Sequence, residues 1–350
     1  MSAAGVWAGL ANSAFLADVT DHDRDPVRIT ATVLGGVFLG LLAAVACWLA
    51  VLTPYTIFTG FGGDILMGLA RTAHQFADPE AKGLGVTLLR LFESTVTDGA
   101  FPLVFVALAA ILAGHPFHHY LTVAAKVRWR LLAMGIGLAA LAMSPLVAME
   151  RLSASVAAPI PLLHVAADWP GKLAYGLSAL LLIPAAAAEE LMFRGWLLRQ
   201  TAAFTRRPGV LLIFTALMFS AAHFDFTPDA FLTRALMGAG FAYMTLRLGG
   251  IEFSTGAHAA NNILIVLLIE PLTLNPTADV TSLSTGALLE DVLLVAGYVA
   301  ITEAVARVAV LRRLAGVRLE EIAPGPSAWP GSPRPKGPAG ISESSAAKPA

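Results

Sequence analysis

Charge is what this chain has least of. Only 13% of its 350 residues are Asp, Glu, Lys or Arg, where a soluble domain carries about 25%, so most of its surface must face something other than water. A net charge of −1 excludes the concentrated Lys and Arg of a nucleic-acid footprint. The single cysteine, Cys47, lies inside the first long apolar run. It has no partner for an internal disulfide, and an unactivated thiol in apolar surroundings is a poor nucleophile. No basic segment precedes the stretch "VWAGLANSAFLA", and Asp18, Asp21, Asp23 and Asp25 stand ahead of the first long run, a pattern unlike a cleavable signal peptide. Residues 1–28 read as a short polar cytoplasmic arm. No internal repeat is apparent.

What the chain has in quantity is apolar length. It is 57% hydrophobic, its mean hydropathy is +0.71, and uncharged stretches recur along most of it. A helix rises 1.5 Å per residue, and about 20 apolar residues cross a hydrocarbon core of about 30 Å. The expected fold is therefore all-α, a polytopic membrane helical bundle of about eight transmembrane helices in a lipid bilayer. The spans fall at about 30–53, 99–114, 130–150, 172–190, 209–224, 229–247, 250–269 and 287–310.

Loop charges agree with that count. Lys126, Arg128 and Arg130 lie between spans two and three, and Arg199, Arg206 and Arg207 between four and five. Glu270 and Asp279 lie between seven and eight, with Glu290 and Asp291 at the start of eight, whereas Arg312, Arg313 and Arg318 follow the last span. Basic loops stay cytoplasmic, so both termini are expected on the cytoplasmic side of a plasma membrane. Residues 54–99 are too polar to span as a whole, and a helix along the interface is expected there. The membrane domain is set at residues 29–316. Residues 317–350 are a tail rich in proline, serine and glycine, expected to be disordered.

Ionisable groups inside spans are costly unless paired, and so mark candidate functional positions. In "EELMFR", Glu190 and Arg194 are four residues apart with the acid first, the favourable orientation for an ion pair. Glu189 lies about 100° around the helix, without such a partner. A desolvated, unpaired carboxylate has a raised pKa and suits a general base near neutral pH; a plain salt-bridge knot between helices weighs about equally. "HAANN" places His258 and Asn262 on one helix face with Asn261 beside them. Such a pair can stabilise an oxyanion, or can be a buried histidine capped by an amide. His223, in "FSAAH", is by itself as compatible with packing as with catalysis. Glu303 and Arg307 repeat the four-residue spacing without a histidine and read as structural.

Together these clusters resemble a known family. "EELMFR", "FSAAH" and "HAANN" match E-E-x-x-x-R, F-x-x-x-H and H-x-x-x-N in the order found in the CPBP intramembrane proteases, which include type II CAAX prenyl endopeptidases and bacteriocin self-immunity proteins. The resemblance covers about residues 173–270. It implies hydrolysis of a peptide bond in a membrane-associated protein or peptide, with a CAAX-prenylated chain as a candidate substrate. By that resemblance Glu189 is the general base and His223 helps activate water. His258 and Asn262 stabilise the oxyanion, and Glu190 and Arg194 shape the site. A metal-free mechanism with no cofactor is expected. Zinc is the alternative, because carboxylate and imidazole are ordinary zinc ligands. Two other readings stay open: a non-catalytic member acting in immunity or as a membrane scaffold, and a proton-coupled transporter.

Other intramembrane proteases fit less well. H-E-x-x-H is missing, no G-x-S-x-G or G-x-S-G elbow is present, and "GFGGD" is out of register with G-x-G-D. In "HPFHHY", His115, His118 and His119 adjoin the basic loop and read as an interfacial cluster in preference to a metal site. One mismatch concerns depth. Glu189 and His258 count to about 15 Å from the inner face, but His223 to about 24 Å, so its helix must start deeper, tilt, or be staggered.

Overall fold

The structure is a computed structural model and describes residues 3–58, 65–77, 84–153, 160–269 and 285–322. Glu270, Asp279 and the tail beyond residue 322 lie outside the described residues. Those residues are almost entirely helical; the one β-type pairing is an isolated bridge between Thr122 and Gly250. The chain is an all-α polytopic membrane bundle.

We number the longer helices α1 (Ala3–Ala11), α2 (Pro26–Phe58), α3 (Ile65–Ala77), α4 (Leu84–Ala113) and α5 (Trp129–Ser153). They continue as α6 (Trp169–Phe204), α7 (Pro208–Ala221), α8 (Pro228–Leu248), α9 (Glu252–Ile269), α10 (Thr285–Arg307) and α11 (Ala309–Ala315). Proline opens α2, α7 and α8 at the first turn, where a missing N–H costs nothing. The Asp25 carboxylate accepts a hydrogen bond from the Val27 amide at 2.9 Å and so caps α2. α8 ends on Gly249, whose φ of 72° is readily adopted only without a Cβ.

Large apolar side chains point outward. Leu34, Phe38, Ile111, Leu141 and Ile213 are each more than half exposed, as lipid-facing residues should be. Helices α2, α4, α5, α6 and α9 are long and apolar enough to cross a membrane, and α10 with α11 would make a sixth if joined across their 91° bend. All eight expected spans are helices, but two fall short of that standard. α7 has 14 residues, about 21 Å of rise. α8 carries Asp229, Arg234 and Arg247, and most of its second half is buried. Its charges are tolerated because they are paired: Arg234 with Asp225 at 3.0 Å, and Arg247 with Glu303 at 2.6 Å. Glu303 also holds Arg307 at 2.5 Å and accepts from the Tyr243 hydroxyl at 2.7 Å, the structural role expected of it.

Residues 54–99 differ from expectation. Only α3 is a separate amphipathic helix, while residues 84–98 are the first half of α4 and lengthen the second span. Leu91 from this half packs with Tyr175, Leu182 and Val266, so contact with α6 and α9 overrides its local polarity. Arg128, expected as a loop charge, is buried. It makes a two-pronged bond to Glu252 at 3.0 and 2.7 Å and reaches Glu321 at 3.3 Å, holding the turn between α8 and α9.

The N-terminal arm is polar but not loose. Leu10, Phe15 and Leu16 are fully buried in the same core as Phe105, Trp196 and Leu246. Arg199 donates to the Phe15 carbonyl at 2.6 Å, Arg206 to that of Leu16 at 2.9 Å, and Gln200 to that of Asp23 at 2.8 Å. Burial would raise the Asp18 carboxyl, but the charge and hydrogen bond of Arg199, with a further bond to His119, hold it below the usual carboxylate range.

Helices α5 and α9 touch backbone to backbone. A Cβ on Gly256 would lie 2.3 Å from the Leu132 carbonyl oxygen and 2.8 Å from the Ile136 nitrogen, and one on Gly135 would meet the Phe253 carbonyl at 2.5 Å. Small residues permit this approach between membrane helices, and it fixes the depth of the α9 residues that follow. Gly256→Val should cost about 1–3 kcal/mol, the usual range for overpacking, read as a lower unfolding temperature in detergent. Gly137→Val, where the added atom meets nothing within 4 Å, should leave it unchanged.

Candidate active site

The site begins inside α6, which is not a uniform helix. Leu182–Glu190 is α-helical, Leu191–Leu197 is a π turn, and Leu198–Phe204 is α-helical again. α9 likewise passes into a π turn at Ile265–Ile269, just beyond Asn262. π turns widen a helix locally and are frequent at functional sites. No simple residue pattern announces them, and the sequence reading did not find them.

Glu190 and Arg194 are the anchor. Both are fully buried, with Arg194 Nη1 2.9 Å from Glu190 Oε1. Arg194 also donates from Nη2 to the Gly238 carbonyl on α8 at 3.1 Å. Its guanidinium lies over the rings of Phe219 at 4.3 Å and Phe241 at 5.3 Å, favourable cation–π contacts. Glu190 has a second partner: its Oε1 accepts from His258 Nδ1 at 3.1 Å. The i,i+4 spacing signalled the ion pair. The link from Glu190 to His258 crosses from α6 to α9 and had no sequence signal.

Glu189 stands apart from this network. Its Oε2 is buried yet has no hydrogen-bond partner among the described residues. His223 Nε2 and His258 Nε2 each lie 3.9 Å from it. His223 sits in the turn beyond α7, which runs from Pro208 to Ala221, and its Nε2 still comes within 3.9 Å of Glu189.

Hydrogen bonds at the far ring nitrogens set the tautomers. His223 Nδ1 lies 2.8 Å from the Phe219 carbonyl, which can only accept, so Nδ1 carries the proton and Nε2 presents a lone pair to the site. His258 Nδ1 donates to the Glu190 carboxylate, a contact that a doubly protonated ring also makes while offering Nε2–H to the site. Phe219 stands edge-on to both histidines, with centroids at 4.9 and 5.7 Å, and Phe241 stacks on His258 at 5.0 Å. Phe219 was visible as the first position of F-x-x-x-H, whereas Phe241 carried no motif. Asn261 Nδ2 donates to Asn262 Oδ1 at 3.3 Å, leaving the Asn262 amide protons for other acceptors.

Glu189, His223, His258 and Asn262 all line one cavity of about 540 Å³, with an apolar wall that includes Met143, Leu146, Met237 and Leu294. Thr233, Arg234, Glu150, Glu290 and Asp291 add polar groups to that wall. A metal at this site would need its donors close together. Among the described residues, the set with three ligand atoms mutually within 4.8 Å is Asp18, His115 and His119; Glu189, His223 and His258 do not meet that spacing.

Residues 171–264 match the family model described as type II CAAX prenyl endopeptidase Rce1-like, about a quarter of the chain. A curated relative, "Uncharacterized protein YyaK" of Bacillus subtilis (strain 168), is 36% identical over 100 residues, covering 26% of this chain and 33% of the relative. The match thus spans about a third of that relative's length. No solved structure matches. The matched segment contains all six expected site residues, and over it the chain is similar to that Rce1-like family.

Removing one member of the buried ion pair should be costly. Arg194→Met strands the Glu190 charge, and such losses cost about 3–5 kcal/mol, read as a sharp fall in folded yield and unfolding temperature. The double variant Glu190→Gln/Arg194→Met should recover a substantial part of that loss, since neither partner then leaves an uncompensated charge.

Proposed function

We propose that the protein is an intramembrane endopeptidase that hydrolyses a peptide bond of a membrane-associated protein or peptide by water activated at Glu189. The observation carrying this reading is the buried, unpartnered Glu189 Oε2, flanked at 3.9 Å by two imidazole Nε2 atoms at the wall of the cavity. A gap of that size accommodates a water at the apex of a triangle, about 2.8 Å from each partner. Such a water donates one hydrogen to Glu189 Oε2 and the other to the His223 Nε2 lone pair. Its own lone pair then faces the cavity.

The chemistry follows from that placement. As the water oxygen bonds to the scissile carbonyl carbon, Glu189 takes its proton, the role of a general base. The carbonyl oxygen becomes an oxyanion. His258, protonated and backed through Nδ1 by Glu190, donates to it from Nε2, and the Asn262 amide donates a second bond. When the intermediate collapses, the C–N bond breaks and Glu189 passes its proton to the leaving amine. Products are one carboxylate and one amine, and no cofactor enters. The same reading places the protein in a plasma membrane with both termini cytoplasmic. The apolar wall suits a lipid-modified or hydrophobic segment, including a CAAX-prenylated one.

The test uses purified full-length protein in liposomes with a membrane-tethered peptide, offered with and without a C-terminal prenyl group, and mass spectrometry of the products. Wild type should release two fragments. Glu189→Gln should lose about 10²–10⁴-fold in rate, the usual contribution of a positioned base, while keeping the wild-type unfolding temperature. His223→Ala should fall in the same direction. Equal cleavage by wild type and Glu189→Gln would sink the proposal, as would absence of cleavage combined with Glu189-dependent proton-coupled uptake.

A further inference from the structure

A second cluster of ligating side chains lies outside the cavity, where the N-terminal arm meets the turn between α4 and α5. Asp18 comes from the arm, and His115 and His119 from "HPFHHY". One ligand atom from each lies within 4.8 Å of the other two. His119 Nδ1 is 2.7 Å from Asp18 Oδ2, and His115 Nε2 is 2.8 Å from Asp23 Oδ1. The sequence showed only three nearby histidines, with no acid among them. Docking of the arm supplies the carboxylates.

We propose that Asp18, His115 and His119 form a binding site for a zinc-type divalent transition-metal ion, which fastens the N-terminal arm to the membrane domain. The donor set decides the class of ion. Two imidazoles and one carboxylate suit zinc, cobalt or nickel, whereas magnesium and calcium take oxygen ligands throughout. Three protein donors leave a fourth position for water in a tetrahedral site. Asp23 holds the His115 ring through Nε2, the kind of carboxylate partner that orients a ligating imidazole. Arg199 occupies Asp18 Oδ1 at 2.6 Å, so Oδ2 is the oxygen available to an ion.

Room and access are present. A cavity of about 170 Å³, lined by Asp18, His118, His119 and Arg199 among others, opens beside the cluster, and all three proposed ligands are partly accessible. Binding displaces the Asp18–His119 hydrogen bond. Donors on metal bonds of about 2.0–2.1 Å sit about 3.3 Å apart in a tetrahedron, so these side chains need to part by about half an ångström. The ion replaces the shared hydrogen, which leaves to solvent.

The experiment strips purified full-length protein with a chelator, titrates it with zinc, and measures bound metal after desalting. Wild type should retain one equivalent per chain, and zinc should slow tryptic cleavage within residues 1–28. His119→Gln and Asp18→Asn should weaken binding by more than about tenfold, a loss seen even on changing outer-shell partners. His118→Gln, His223→Gln and His258→Gln should bind as wild type. Should Asp18→Asn fail to fold, His119→Gln and the visible spectrum of the cobalt-loaded wild type decide. Lack of stoichiometric uptake, a cobalt spectrum of the aqueous ion, or loss of the metal on changing His223 or His258 instead, would overturn the proposal. Cleavage activity is not the readout, so this result stands apart from the test of Glu189.

Discussion

The site depends on one buried ion pair. Glu190 and Arg194 are both withdrawn entirely from solvent, and neither charge is tolerable there alone. Because each must be satisfied, the pair dictates what surrounds it. Arg194 draws the α8 backbone close through the Gly238 carbonyl and lies against Phe219 from α7 and Phe241 from α8. Glu190 draws His258 in from α9. Three helices are thus tied to two side chains one turn apart on α6. A buried pair of this kind adds little net stability over a well-packed apolar substitute. Its contribution is geometric, because it fixes where the neighbouring helices stand.

That geometry divides two adjacent carboxylates into unlike roles. Glu190 has its Oε1 committed to both Arg194 and His258, so it is the structural anion. Glu189, one residue back and turned about 100° away, lines the cavity with a buried oxygen that has no hydrogen-bond partner among the described residues. Two histidines approach it, His223 from the turn after α7 and His258 from α9, and the Phe219 carbonyl or the Glu190 carboxylate holds a proton on the Nδ1 of each.

Much of the candidate site was legible from spacing. Glu190 and Arg194, like His258 and Asn262, are four residues apart and share a helix face because a helix repeats every 3.6 residues, and the split between Glu189 and Glu190 followed from that period. Helices at the eight expected positions were legible as predominantly apolar runs, of which five, or six with α10 and α11 joined, are long and apolar enough to cross a membrane. What spacing did not carry was anything that crosses between helices: the π turns at residues 191–197 and 265–269, the bond from Glu190 to His258, or the stacking of Phe241. Residues 84–98 were assigned to the interface because their local polarity is high. Their burial against α6 and α9 depends on partners more than 80 residues away.

The sequence by itself determined composition-driven and period-driven features: an all-α membrane bundle, the polar residues within its spans, and which of those share a helix face. These are local properties, set by chain covalency and the rise of a helix. Only the tertiary structure decided distances between elements. It placed His223 within 3.9 Å of Glu189 despite a mismatch in residue count, and it folded a polar arm so that Asp18 and Asp23 meet His119 and His115. Depth and approach are set by packing, as where Gly135 and Gly256 let α5 and α9 touch. Packing is a property of pairs of surfaces, which no single stretch of sequence contains.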